Sequence, residues 1–398
     1  MHDVYIAGSG LTAFGKFHDR TLKDLAGMAV TDALADAGAR VDGIEAAYVG
    51  NAVAGLITGQ EMIRGQVMLR PLGFGEIPVF NIENACASSS SAFHLAHQAV
   101  ASGAYDVVLA VGAEKLTHED KQRSFDAIAT AVDLEQMAEM EAALGSGSGR
   151  SFFMDIYAGM TKDYFATSGA TQDDLARVVV KAHSHAALNP KAQYRDIVTI
   201  EQVLGAREIA WPLTLLMCSP IGDGAAAVVV ASREGLERLE READRPDVRV
   251  LASVVRSGTV PGRGAKSAPA AAQAAYDASG IGPEDIDVAE VHDASAVAEL
   301  TLYEDLGFCL PGDAPKLLAT GRTHLGGDLP VNPSGGLLCK GHPIGATGIA
   351  QLAELNEQLV GRAGDRQVGG ARIALAKNGG GWLDEDSAAM SVTILARD

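Results

Sequence analysis

One pattern occurs twice in this chain and limits its fold more than any other feature. The segment Asp32-Ala-Leu-Ala-Asp-Ala-Gly-Ala-Arg-Val-Asp-Gly-Ile-Glu-Ala-Ala-Tyr-Val-Gly50 returns in pattern as Ala274-Ala-Tyr-Asp-Ala-Ser-Gly-Ile-Gly-Pro-Glu-Asp-Ile-Asp-Val-Ala-Glu-Val-His292. Each copy reads as a helix, a glycine-centred stop, an acidic turn and an apolar strand. Later in each half comes a strand-to-helix turn with reactive side chains, Cys86 in the first and His342 in the second. A further strand follows each turn, Val107 to Gly112 and Ala371 to Leu375. Alternating units of this kind build mostly parallel sheets covered by helices. The pattern predicts an α/β protein of two duplicated βαβ halves, residues 1–250 and 251–398. Packed together, the halves would bring the two turns to a shared interface.

The first turn reads Asn84-Ala-Cys-Ala-Ser-Ser-Ser-Ser91. An apolar, β-prone segment (Ile77 to Ile82) precedes it, and Ala92 to Ala101 reads as a helix. Cys86 is therefore expected at a helix N-terminus, where free N–H groups favour thiolate over thiol. Small neighbours let a substrate carbonyl approach. A lone cysteine near a helix start is more often a small buried hydrophobe. The second turn argues against that reading here. Asn332-Pro-Ser-Gly-Gly-Leu-Leu-Cys-Lys-Gly-His-Pro-Ile-Gly-Ala-Thr-Gly348 holds His342 in a Gly/Pro-rich turn before a helix over about 349–359. A cysteine and a histidine on two such turns match an activated nucleophile and its base.

These motifs resemble those of the thiolase superfamily. The Asn332–Gly348 segment is similar to its histidine motif, Asn84–Phe93 to its nucleophile segment, and Leu216–Ala231 to its middle landmark. Val291-His-Asp-Ala-Ser295 resembles the His-Asp motif of the branch that contains sterol-carrier-protein and archaeal thiolases, and the likeness covers essentially the whole chain. It implies the thiolase fold, with two similar halves stacked in αβαβα layers. It also implies an acyltransferase acting on CoA thioesters, with coenzyme A as substrate and no covalently bound cofactor. A dimer or larger assembly is implied too, together with a small OB-fold, zinc-ribbon partner that helps hold CoA.

Composition agrees and excludes other classes. The 398 residues are 47% hydrophobic but only 5% aromatic, with 45 glycines, which suits closely packed small-residue helices on a sheet. The net charge of −19 speaks against nucleic acid or an anionic membrane surface as partner. No apolar run of about 18 residues suggests a membrane span. The N-terminus lacks the basic start of a signal peptide. Four cysteines without paired spacing suggest reduced thiols in the cytoplasm, and no zinc-site pattern is present.

About 116–208 the first half carries an insertion without the repeat. It holds an acidic, Met-rich stretch (133–143), a Gly-Ser segment (145–150) and a long helical region. Thr171 is the expected N-cap of a helix, with Asp174 three residues on. The resemblance makes this insertion the loop domain over the pocket. Phe152, Phe153, Met154, Tyr157 and Met160 would then line a lid, and Tyr157 and Phe152 point to an acyl group bulkier than acetyl. The alternative is an ordinary helical subdomain. Residues 236–250, rich in Glu and Arg, read as an exposed helix and connector.

The resemblance implies the following roles. Cys86 attacks a thioester or β-keto carbonyl, and His342 accepts its proton. One oxyanion hole combines the N–H groups of Cys86 and Gly380 (Gly379 if the loop aligns one residue differently), within the C-terminal loop Lys377–Gly381. The second pairs His342 with His292. Tyr157, Phe153 and Asn378 are expected to meet substrate, and no metal is expected. His292 and Asp293 are alternatively a structural hydrogen-bonded pair.

The chain departs from the family at one point. Thiolases use a second cysteine as acid/base, in a Cys-x-Gly loop or as His-Asp-Cys. Here Asn378 (or Lys377) and Ala294 stand at those places. Cys218 reads as core, Cys309 as a loop residue and Cys339 as packing behind His342. The base is left to His342, His292 or a water held by Asn378. Three readings follow. The chain is a thiolase-type enzyme that makes or breaks a β-keto acyl-CoA; or an acyltransferase to another acceptor, with a retro-aldol lyase as a weaker variant; or a non-catalytic subunit of a thiolase-type complex.

Overall fold

The computed structural model describes residues 2–146, 150–260 and 266–398; positions 147–149 of the expected Gly-Ser segment lie outside the described residues. Among the described residues, eleven strands are interspersed with helices: β1 (Val4–Leu11), β2 (Ala46–Gly50), β3 (Val79–Ile82), β4 (Val107–Glu114), β5 (Glu208–Ala210), β6 (Leu213–Thr214), β7 (Gly224–Ser232), β8 (Val248–Ser257), β9 (Val288–Glu290), β10 (Ile373–Gly380) and β11 (Ala389–Arg397). β5 and β6 form a small hairpin, and the other nine form one mixed sheet in the order β3-β2-β4-β7-β1-β8-β11-β10-β9.

That order is the sequence duplication made visible. β2 lies parallel to β4, which runs antiparallel to β7, which meets β1. In the second half β9 lies parallel to β10, which runs antiparallel to β11, which meets β8. Even β3 has a counterpart, because Val331 makes a parallel bridge to Ala289 as β3 does to β2. The two copies of the repeat start alike. Helices Leu22–Ala37 and Ser267–Ser279 end at Gly38 and Gly280, with φ of 58° and 70°. A glycine adopts this left-handed stop without a Cβ penalty. The halves join where β1 meets β8 at Tyr5–Arg249 and Ile6–Val248.

Helices Ser88–Ala101 and Thr347–Val360 pack against each other in the middle layer. Phe93, Ala96, Ile349 and Leu352 share one buried cluster with Val108 and Val228 of the first half and Val250 and Ala374 of the second. The Leu22–Ala37 helix covers the outer face of the first half. Helices Ser267–Ser279, Ala296–Asp305 and, from the insertion, Gln172–Ala186 cover the outer face of the second. The result is the αβαβα stack that the resemblance implied. Both strand-to-helix turns belong to the central layer, so Cys86 and His342 meet.

Local expectations fared unevenly. The Thr171–Asp174 capping box forms, with the Thr171 N–H donating to Asp174 Oδ2 at 2.9 Å. The serine run is not a loop before a helix: Ser88 to Ser91 is its first turn. Nor is 236–250 a helix. Only Arg233–Glu237 is helical, and Arg241 and Arg245 fasten the following coil to Asp247 and Asp36 before β8 begins. The Lys377–Gly381 "loop" is largely strand, since β10 runs to Gly380. A β-carbon on Gly380 would lie 2.3 Å from the Asn84 carbonyl and 2.6 Å from the Ala87 nitrogen. Glycine there reflects close backbone approach to the cysteine turn rather than a turn of its own.

Candidate active site

Cys86 lies in a single 3-10 turn (Ala85–Ala87) before the Ser88–Ala101 helix, with Ala85 at φ 47°. The turn is held from three sides. Ser88 Oγ donates to the Ala85 carbonyl at 2.6 Å, the Asn84 amide donates to Ser91 Oγ, and Asn378 Nδ2 donates to the Cys86 carbonyl at 2.9 Å. Opposite it, His342 leaves the short Gly336–Cys339 helix through Gly341, whose φ is 113°. Cys86, His292 and His342 converge so that one reactive atom from each lies within 4.8 Å of the other two. The imidazoles stand edge to face, centroids 5.0 Å apart.

Hydrogen bonds set the tautomers. The Cys86 carbonyl only accepts, so the Asn378 NH2 faces it and Ser90 Oγ, leaving Asn378 Oδ1 toward His292 Nδ1 at 2.5 Å. His292 Nδ1 therefore carries the proton and its Nε2 a lone pair. His342 Nδ1 lies 2.7 Å from Thr347 Oγ1, and that hydroxyl donates to the Pro343 carbonyl. His342 Nε2 is then also a lone pair. Both rings are proton acceptors at rest, and His342 can donate from Nε2 only after it takes a proton.

Burial sets the charges. It lowers His342 to about 3 and holds His292 well below the ordinary histidine range, with His342 and Lys377 adding to the effect. It also pushes the Cys86 thiol up to about 12, helped by the Glu114 carboxylate. The expected resting thiolate gives way to a neutral thiol–imidazole pair, because two buried charges cost more than the helix end returns. The N–H groups that oppose this rise are those of Cys86 itself and Gly381. The Gly381 N–H, one residue past the expected Gly380, thus favours negative charge at the sulfur.

The neighbours of the site divide the work. Asp293 does not pair with His292. Its carboxylate accepts from the Leu337 N–H at 2.6 Å and that of Leu338 at 3.4 Å, which anchors the helix leading to His342. Glu114 accepts from Ala52, Asn51 and Gly345, tying the histidine loop to the first half. Asn378 was expected to meet substrate, but its side chain is spent on His292, Cys86 and Ser90. Tyr157 and Phe153 do line the cavity, with Met154 and Met160. Phe152 instead packs with Val132 and Ile156. Cys218, expected in the core, lines the cavity and bonds the Thr214 carbonyl, while Cys339 is buried behind His342. The cavity holds about 460 Å³. A Cys/His/His trio also suits a thiophilic cation such as zinc by ligand type. Sequence reasoning missed Thr347 and Glu114, while Gly381 and Lys377 lay in the quoted C-terminal segment without the parts they take here. Thr347 lay within the quoted motif, five residues past His342.

The Thiolase, N-terminal domain model matches residues 4–209, and the Thiolase C-terminal domain-like model matches 260–396. The chain belongs to the thiolase family. It is 40% identical to an acetyl-CoA acetyltransferase of Methanothermobacter thermautotrophicus over 96% of this chain and 97% of that one. It is 39% identical to the benzoylsuccinyl-CoA thiolase subunit BbsB of Thauera aromatica, covering 92% and 91%. Sterol carrier protein 2 of Rattus norvegicus is 34% identical over 94% of this chain and 69% of its own length. Among solved structures the Ltp2-ChsH2(DUF35) aldolase superposes with a TM-score of 0.80 at 27% identity, covering 100% of this chain and 98% of that one. The family match makes this thiolase-family chain an acyltransferase and agrees with the branch inferred from the His-Asp motif. Among the described residues no helix is long and apolar enough to cross a membrane.

Proposed function

We propose that this chain is a thiolase-type C-acyltransferase that forms or cleaves a β-keto acyl-CoA through an acyl-enzyme on Cys86. The convergence of Cys86, His342 and His292 within 4.8 Å carries the reading. His342 Nε2 takes the thiol proton as the sulfur attacks the carbonyl carbon. The N–H groups of Cys86 and Gly381 favour negative charge at the sulfur and are our choice of oxyanion donors; each such donor is worth on the order of 3 kcal/mol. Protonated His342 then returns its proton to the leaving CoA sulfur as the bond between that sulfur and the acyl carbon breaks. His292 takes the place of the absent second cysteine. Its Nε2 lone pair, fixed by Asn378, removes the α-proton of the second acyl-CoA; the enolate attacks the Cys86 thioester, the C–S bond to Cys86 breaks, and the released sulfur recovers the proton from His292. The aldolase neighbour favours no lyase reading here, because Cys86 and its base are both in place.

Residues 1–250 and 251–398 are proposed as the two thiolase halves, coenzyme A as the co-substrate, and an acyl group larger than acetyl as cargo. The 460 Å³ cavity with Phe153, Tyr157, Met154 and Met160 supports the larger group. A homo-oligomer with a small OB-fold, zinc-ribbon partner is also proposed, in keeping with a relative named as a subunit and a neighbour named with a DUF35 component. The test is intact-mass analysis after incubation with a panel of β-keto acyl-CoAs and free CoA, with and without that partner. An acyl adduct on Cys86, absent from Cys86→Ala, is expected. No adduct under any condition would sink the proposal.

A further inference from the structure

The acyl-transfer reading leaves one buried charge in the cavity without work. Residues of β10 alternate between the sheet's faces, so Lys377 turns away from Asn378 toward the outer helices. Its Nζ stands beside Gly379, 3.4 Å from where a β-carbon on that glycine would lie, with Ser387 Oγ and Met390 Cε equally near that point. The residue is 5% exposed, yet it lines the same cavity as Cys86 and His292. Among the described residues its ammonium makes no hydrogen bond and no ion pair within 4.0 Å.

The acidic groups nearby do not complete it. Asp305 and Asp386 act on Lys377 only through their fields. Asp386 is already held by the N–H groups of Thr259, Ser267 and Ser387 and by Ser267 Oγ. Burial raises Asp305 toward its neutral acid form. The same burial lowers Lys377 only to about 8, so near neutral pH it remains largely an ammonium with three unused donors. A buried cation in this state gains most from an anion brought by a ligand.

The position says which anion. Cys86, His292 and His342 receive the thioester end. Exposed Lys16, Lys121 and Arg207 line the same cavity and suit the phosphates of CoA. Lys377 is too enclosed for a nucleotide. Apolar Tyr157, Leu302 and Met390 line the space it shares with Cys86. We infer that Lys377 receives a carboxylate borne on the acyl chain, so that the substrate class is an acidic acyl-CoA rather than a plain fatty one.

The inference rests on the thioester end lying at Cys86, but its test needs no chemistry there. Binding of unreactive thioethers of CoA to the intact protein is measured by calorimetry. S-(3-carboxypropyl)-CoA and S-(4-carboxybutyl)-CoA are compared with S-butyl-CoA and S-pentyl-CoA. At least one carboxylate ligand should bind tenfold or more tightly than its alkyl counterpart. Lys377→Met should bring that ratio near one, and Lys377→Arg should keep part of it. Equal affinities in the unaltered protein would overturn the inference, and so would a ratio unchanged by Lys377→Met. An equal loss for both ligand types would assign Lys377 to CoA instead. Failure of the acyl-enzyme mechanism would show separately, as the absence of a Cys86 adduct.

Discussion

Asn378 holds His292 by its Nδ1 at 2.5 Å while its amide nitrogen grips the Cys86 carbonyl at 2.9 Å. One side chain on β10 thus fixes both the nucleophile turn and the ring beside it. With Lys377, it is one of the two residues that the resemblance puts at the place of a second thiolase cysteine, and its side chain orients its neighbours. Asn378→Leu should free the His292 ring and slow α-proton exchange of an acyl-CoA in deuterated water about a hundredfold. Acylation of Cys86 should fall less. Equal losses in both steps would show that Asn378 serves only the cysteine turn.

Gly380→Ala is expected to be worse than its size suggests. The new methyl would meet the Asn84 carbonyl at 2.3 Å and the Ala87 nitrogen at 2.6 Å, both backbone atoms. Relief requires β10 to move from the cysteine turn, and about 1 Å of misplacement can cost about a hundredfold in rate. The rate of adduct formation on Cys86 is the measurement. A variant within threefold of the parent would contradict this close approach.

Behind the site, Lys181 Nζ lies 2.6 Å from Glu299 with both side chains fully buried. Glu299 also accepts from Asn332 and Tyr303. Lys181→Met leaves an unpaired buried carboxylate, a loss of about 3–5 kcal/mol. The double variant Lys181→Met with Glu299→Gln keeps acceptor and donor but no charge, and should recover much of it. Urea unfolding of four proteins, the parent, Lys181→Met, Glu299→Gln and the double variant, decides, and additive losses would refute the coupling.

Glu114 gives the fold a pH dependence of its own. Burial, only partly opposed by hydrogen bonds from Ala52, Val53, Gly345 and Asn51, raises its carboxyl from the ordinary 4.5 to about 7. A carboxyl raised in the folded state contributes stability in full below the unfolded value, and that contribution fades as pH climbs through the folded one. The window is therefore pH 4.5 to about 7. The melting temperature of the unaltered protein relative to Glu114→Gln should decline between about pH 5 and pH 8. A constant difference would show that Glu114 does not titrate there.

Much of this molecule was legible in its sequence, because the signals concerned are local or repeated. Helix–glycine–acidic-turn–strand units are written in consecutive residues, so the duplication, the α/β class and the two reactive turns followed from pattern alone. Cys86, His342 and His292 stand on those turns and strand ends, and backbone topology carries them together. Relations across the fold were not legible. Strand parity and the sheet order turned Asn378 inward to His292 and Lys377 outward into the cavity, which no spacing within Lys377–Gly381 discloses. The Cys86 thiol is held toward its protonated form because atoms from both halves crowd it at the cavity wall, outweighing the helix end that its sequence position advertises. The sequence determined which groups are present and on which elements. Tertiary packing decided their protonation, their tautomers and the face each presents, since these depend on neighbours the fold brings in, such as Asn378 against the Cys86 turn.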